Sequence, residues 1–143
     1  MTRNKYKVSA PEAITIVLPI PPVEVRPNGR AHWRTKAAAV KKMRDIAVLE
    51  CWHAIGMKKP LWSTARISYD WYHPTKRLLD RDNIIGSCKA YLDGIVSAGV
   101  LADDNGVTLE PVGRFVDPKN PRVEITVTPE AAAEAALKEQ QDA

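Results

Sequence analysis

With 143 residues, 45% of them hydrophobic, the chain carries enough apolar material for one domain with a real core and too little to expect two. Its net charge of +4 is unevenly distributed: residues 1–60 hold 12 Lys/Arg against 4 Asp/Glu, a balance of +8, while residues 61–143 hold 9 against 13, a balance of −4. A basic half points to a polyanionic partner, and the short apolar run 14–20, broken by Pro19, excludes a membrane span or export signal and leaves the cytoplasm as the expected compartment.

In chain order, Ile14 to Leu18 predicts a first strand, closed by Pro19, Pro21 and Pro22. A polar loop from Val23 to Ala31 leads to a helix from about Trp33 to Ile55, which Lys58-Lys59-Pro60 ends. On its apolar arc Arg44 falls among Val40, Ala47, Val48 and Cys51, either snorkelling or reaching an acid cluster. Ala65 to Trp71 alternates as a strand, and His73 to Leu79 is a basic loop. A second helix from about Ile84 to Ala98 presents Ile84, Ile85, Cys88, Tyr91, Leu92, Ile95 and Val96 on one arc, with Gly99 suited to a left-handed terminus. Val107 to Val116 and Val123 to Val127, split by Asp117-Pro118-Lys119-Asn120-Pro121, predict a hairpin-like pair of strands. The sum is an α+β domain over residues 1–128: a two-layer sandwich with a mixed sheet of about four strands and two helices on one face, in the order β-α-β-α-β-β. Residues 129–143, rich in Ala, Glu and Gln, form a polar C-terminal tail.

Cys51 and Cys88 lie on the apolar faces of separate helical segments without partners at metal-ligand spacing, so both are expected to be reduced core residues. His32, His53 and His73 are scattered, and no Ser/His/Asp, Cys/His or phosphate-loop arrangement appears.

Acids concentrate between Asp80-Arg81-Asp82-Asn83 and Asp103-Asp104. Were the residues before Asp80 extended, alternation would put Asp80 and Asp82 on one face, and the helix and return would bring Asp104 beside them. Two carboxylates ~4 Å apart repel by about 4 kcal/mol at an effective dielectric near 20, so such a cluster needs protonation, basic neighbours or a hard cation. Oxygen donors favour Mg²⁺, with Mn²⁺ as a substitute. The competing interpretation is an ordinary surface turn in which Asp82-Asn83 caps the helix. Lys89 and Asp93 also fit a plain i, i+4 pair.

Two basic-aromatic stretches suit a nucleic acid. Asn28 to Lys36, continuing to Lys41 and Lys42, offers Arg30, Arg34 and Lys36 to phosphates and Trp33 for stacking on bases, although a Trp at a helix start also serves as a core plug. Trp71 to Arg77 places Lys76 and Arg77 just before the acidic motif, with Asn83 in it.

Asp80-Arg81-Asp82-Asn83, Lys89-Ala90-Tyr91-Leu92-Asp93-Gly94-Ile95, Ala98-Gly99-Val100 and Asp103-Asp104 together resemble the RusA family of Holliday junction resolvases, including its phage and prophage variants. Leu18-Pro19-Ile20-Pro21-Pro22, Asn28, Arg30 and Met43-Arg44-Asp45 extend the resemblance over roughly residues 14 to 127. It implies that Asp80, Asp82 and Asp104 bind metal and catalyse, and that Lys89 is the catalytic lysine. Compared with the shorter family pattern, the stretch from Ile84 to Cys88 contains extra residues; an ungapped alignment would put Gly86 at the lysine position. Lys89 is preferred, since a phosphodiester transition state gains from a nearby ammonium. Asp103 either assists the site or points away while Asp104 points in. The expectation is a Mg²⁺-dependent endodeoxyribonuclease that resolves branched DNA by paired nicks as a homodimer, in a bacterial or phage-infected cell. Gly86, Ala90, Gly94 and Ser97 form a stripe of small residues that would serve as the dimer contact or pack under the first helix. A branched-DNA-binding module without catalysis and a nuclease for flaps or forks are the alternatives.

Overall fold

The computed structural model describes residues 13–130 apart from 28, 29, 31 and 57. The tail beyond residue 130 and Asn28 therefore lie outside the described residues.

Alternation of apolar and polar residues builds the sheet. In β1 (Ile14–Leu18), β2 (Ala65–His73) and β5 (Arg122–Pro129), every second residue is buried, so one face of each strand supplies the core. β5 lies between β1 and β2, antiparallel to both. Along the other edge of β2 run two short parallel strands, β3 (Val107–Leu109) opposite Ala65–Ile67 and β4 (Gly113–Val116) opposite Asp70–His73. The sheet is mixed, as expected, with five strands.

The segment 107–116 is two strands because Pro111 has no N–H for a ladder, while Glu110 N–H still reaches Ile67 O at 2.8 Å. The expected hairpin of the last two strands does not form: β2 lies between β4 and β5. Residues 117–121 instead cross the end of β2, where Asp117 N–H donates to His73 O at 2.8 Å. An open turn results, since Pro118 and Pro121 lack donors and Asp117 accepts from Asn120 N–H (3.3 Å) and pairs with Arg122 (2.8 Å). β5 also runs past the expected strand end at Val127, and Pro129 carries it one residue into the expected tail.

The helices cover the buried face. In α1 (Trp33–Ile55), Met43, Ala47, Cys51 and Ile55 are buried at intervals of four residues and pack on β1 and α3. His32 caps it, its Nδ1 accepting from Arg34 N–H at 3.2 Å, and Gly56 ends it at φ 68°. Arg44 is exposed, which matches the snorkelling alternative. The second helix is divided into α2 (Arg81–Ser87) and α3 (Lys89–Ser97) at Cys88, whose φ −92° and ψ 2° tighten the turn while its N–H is shared between Ile84 O and Ile85 O. Gly99 follows at φ 87°, as expected.

The small-residue stripe is used within the chain. A Cβ on Gly94 would stand 2.6 Å from Arg44 O and 2.7 Å from the Ala47 Cβ, and Ala90 is buried; only Ser97 is exposed. Gly94 therefore lets α1 and α3 approach closely, and the proposed dimer contact is not available on this face. Tyr91, fully buried, donates its hydroxyl to Pro19 O at 2.6 Å and ties α3 to the end of β1. Cys51 and Cys88 are buried free thiols, and burial pushes both up to about 12. Among the described residues no helix is long and apolar enough to cross a membrane.

Candidate active site

Asp80 stands at the N-cap of α2 with extended backbone (φ −64°, ψ 151°), and its carboxylate makes no capping bond. A capping aspartate ordinarily spends its side chain on the first free amides; this one leaves it available. Asp82 sits in the first turn, where a negative charge meets the positive end of the helix. The two acids are therefore a helix start, and not the same-face positions of a strand; both are exposed.

What delivers Asp80 is a clamp that the sequence did not advertise. His73 closes β2 on its buried face, where its Nε2 accepts from Leu79 N–H at 3.0 Å. Its Nδ1 must then carry the proton, donated to Phe115 O at 3.0 Å on β4. Arg114 Nη1 reaches Leu79 O at 3.4 Å from the same strand. Both backbone groups of the residue before Asp80 are thus fixed by side chains. The period-two burial of β2 was the available signal for His73: it falls in phase with Ala65, Ile67, Tyr69 and Trp71.

Lys89 opens α3, and its ammonium joins two carboxylates: Asp104 Oδ2 at 2.9 Å and Asp93 Oδ1 at 3.0 Å. The expected helix-surface pair with Asp93 is present, and so is the long-range contact to Asp104. The hydrogen bonds that Lys89 donates to Asp104 and then to Asp93 hold its ammonium above its ordinary range, and the bond to Asp104 holds that carboxyl below its own. Side-chain exposures of 56% for Lys89 and 45% for Asp104 leave this a screened, solvent-open pair rather than a source of stability. Asp103 is separated from Asp104 by its turn: its Oδ1 accepts from Asn105 N–H at 2.7 Å, so it shapes the loop while Asp104 faces Lys89.

Gly86 is covered by Pro27. A Cβ there would lie 2.5 Å from the proline Cγ, so the loop after β1 occupies the space a lysine at this position would need. A cleft of about 230 Å³ opens beside it, lined among others by Pro27, Lys36, Gly86, Lys89 and Asp93. It sets Lys36 of α1 across from Lys89 and Asp93 of α3.

Trp33 is 67% exposed, which rules out a core plug; its ring stacks on His32 at 5.7 Å and lies 5.2 Å from the Arg34 guanidinium. Arg30, Arg34 and Lys36 are exposed, as are Lys76 and Arg77. Trp71, by contrast, is a core residue. Asn83 is half-buried, with its Oδ1 buried and lacking a partner among the described residues.

Carboxylate oxygens at Asp80, Asp82 and Asp104 are suitable donors for a hard cation. As arranged, however, no three acidic, histidine or cysteine side chains among the described residues come together as a metal-holding group.

No family model matches the chain. It is similar to an uncharacterized protein of Xylella fastidiosa (strain Temecula1 / ATCC 700964), with 34% identity over 86 residues. The match takes in 59% of this chain and 56% of that protein, so it spans little more than half of the relative's length.

Proposed function

We propose that this protein is a Mg²⁺-dependent, structure-selective endodeoxyribonuclease of the RusA type, acting in the cytoplasm as a homodimer on four-way junctions. The observation that carries the proposal is the Lys89–Asp104 contact at 2.9 Å, which brings together two motifs fifteen residues apart. An ammonium held between two carboxylates stays charged throughout the neutral range, so Lys89 is a stabiliser of a negatively charged phosphoryl transition state and not a proton acceptor. Asp93 positions it and remains its partner should Asp104 turn elsewhere. Asp80 and Asp82 keep exposed carboxylates at a helix start. A divalent cation on Asp80, Asp82 and Asp104, Mg²⁺ or Mn²⁺ as substitute, would supply neutralisation of charge at the scissile phosphodiester; donor chemistry supports that part of the proposal. Arg30, Trp33, Arg34, Lys36, Lys76 and Arg77 would hold the strands.

The doubly engaged Lys89 also suits a second interpretation, a branched-DNA-binding module in which the pair is an ordinary surface contact. A cleavage panel of junction, fork, flap and linear duplex, with Mg²⁺ and with chelator, separates the two. Metal-dependent cutting of junctions, lost in Asp80→Asn, is the expected result. Tight junction binding without cutting selects the binding module, and preferential cutting of flaps or forks changes the substrate. Neither binding nor cutting of any branched DNA sinks both.

A further inference from the structure

Arg26 and Pro27 face different clefts. Pro27 lines the one beside Lys89, whereas Arg26 lines a larger one, about 460 Å³, between the 3₁₀ turn at Val23–Val25 and the loop 74–79. We propose that this second cleft binds a phosphate-bearing nucleotide unit of a DNA strand, with Arg26 and Arg77 as its anion donors.

The lining is cationic without a single carboxylate: Arg26 and Arg77 stand against Ile20, Trp71, Leu78 and a loop backbone. Arg26 Nε is buried and has no hydrogen-bond partner among the described residues. A buried donor on a charged group that is left unpaired costs stability, so an acceptor on a ligand is the natural partner. His73 also lines the cleft but cannot serve, because Leu79 N–H and Phe115 O already occupy its two ring nitrogens. Thr75 accepts from Arg77 N–H at 3.3 Å, which leaves its own hydroxyl hydrogen to donate. The volume lies in the range of sites that enclose whole small molecules rather than single ions, and the apolar wall of Ile20, Trp71 and Leu78 suits a sugar or base. Leu79 is both cleft wall and the residue before Asp80, so a strand anchored here by one phosphate is held next to the acidic motif. That the strand is DNA rests on the nuclease proposal; the anion site itself does not.

The test is made in chelator, so that binding is read without cutting. Titration calorimetry compares thymidine 5′-monophosphate, inorganic phosphate and thymidine, and anisotropy follows a short labelled oligonucleotide. Arg26→Gln and Arg77→Gln should each weaken binding of the nucleotide and the oligonucleotide about tenfold, the loss of one charge-assisted hydrogen bond. Lys119→Gln, the same charge change in the 117–121 turn, should stay within about twofold. Unliganded Arg26→Gln should melt at or above the parent temperature, because it removes an unpaired buried donor.

Affinities of both arginine variants within about twofold of the parent overturn the site, as does a lowered melting temperature of Arg26→Gln with nucleotide affinity unchanged, the mark of a merely structural arginine. Thymidine binding as tightly as its monophosphate overturns the anion role. Inorganic phosphate binding as tightly as the nucleotide overturns the nucleotide assignment. Intact nucleotide binding by a parent protein that cuts no branched DNA supports the site and removes the nuclease proposal alone.

Discussion

At the scale of single residues, Lys89 and Asp104 form a charge pair whose two members have different proposed tasks. Asp82→Asn and Asp104→Asn should abolish junction cutting while leaving junction affinity intact or increased, because the proposed phosphate contacts lie elsewhere; normal cutting by either variant removes the assignment. Lys89→Ala should slow cutting about 10²–10³-fold, the usual effect of removing one transition-state donor, and Lys89→Arg should recover part of that with a differently shaped charge. If Lys89→Ala cuts at the parental rate, its ammonium only decorates the helix surface. The pair also sets a pH signature. Asp104 is held below its ordinary 3.8, so its contribution is present above that value and is lost as pH falls through the lowered one. Lys89 is held above its ordinary 10.5, so its contribution is present below that value and is lost as pH rises through the raised one. The melting difference between parent and Asp104→Asn should therefore be small and constant from about pH 6 to pH 9, and close in acid and again in strong alkali. A midpoint near neutrality in that difference would mean the pair is not the one described.

Elements decide where those residues sit. Leu79 is held by His73 and Arg114, so the end of β2 and β4 together aim the N-terminus of α2. His73→Ala leaves the Leu79 N–H and the Phe115 carbonyl without partners, and should cost about 1–3 kcal/mol for each group left buried. Urea denaturation measures it, and an unchanged midpoint would show that water replaces the ring. Junction cutting should fall with it, while exposed Arg30 and Trp33 keep DNA affinity near the parental level. Between α1 and α3 the contact is backbone-close, because Gly94 has the Arg44 carbonyl and Ala47 against it. Gly94→Val should destabilise by about 1–3 kcal/mol or more through overpacking, visible as a drop in melting temperature. An unaffected melt would mean that α1 and α3 are looser than described.

For the whole molecule, the exposed basic residues of α1 are the proposed electrostatic contact to DNA. Arg34, Lys36, Lys41, Lys42 and Arg44 are all exposed along it. Junction affinity should weaken steeply with salt, and Arg34→Gln or Lys36→Gln should each reduce the slope by about one counterion. Salt-independent affinity would contradict a phosphate-contact surface. Paired nicks call for two equivalent sites related by a two-fold axis. Sedimentation at micromolar concentration should show a dimer of the 15.9 kDa chain; an active monomer refutes it. Since Ala90 and Gly94 are buried under α1, such a dimer must use another surface.

Local pattern determined β1 from Ile14 to Leu18, α1 from Trp33 to Ile55 and the buried face of β2, because apolar alternation in the strands and the proline and lysine stops around β1 and α1 are properties of consecutive residues. The acidic motif and Lys89 were legible by residue type, and the left-handed Gly99 by its place after a helix. Strand neighbours were not, since inserting β2 between β4 and β5 depends on which edges of the sheet remain open once the chain has folded. The division of the second helix at Cys88 likewise follows from tertiary packing, in which Gly86 lies under Pro27 and Gly94 under α1. Tertiary structure alone brought Asp104 to Lys89 while Asp103 turned into its own loop, and it alone gave His73 its two partners and Arg26 its cleft. These contacts join residues distant in the chain, and side-chain chemistry names what a residue can bind without saying which group the fold will set beside it.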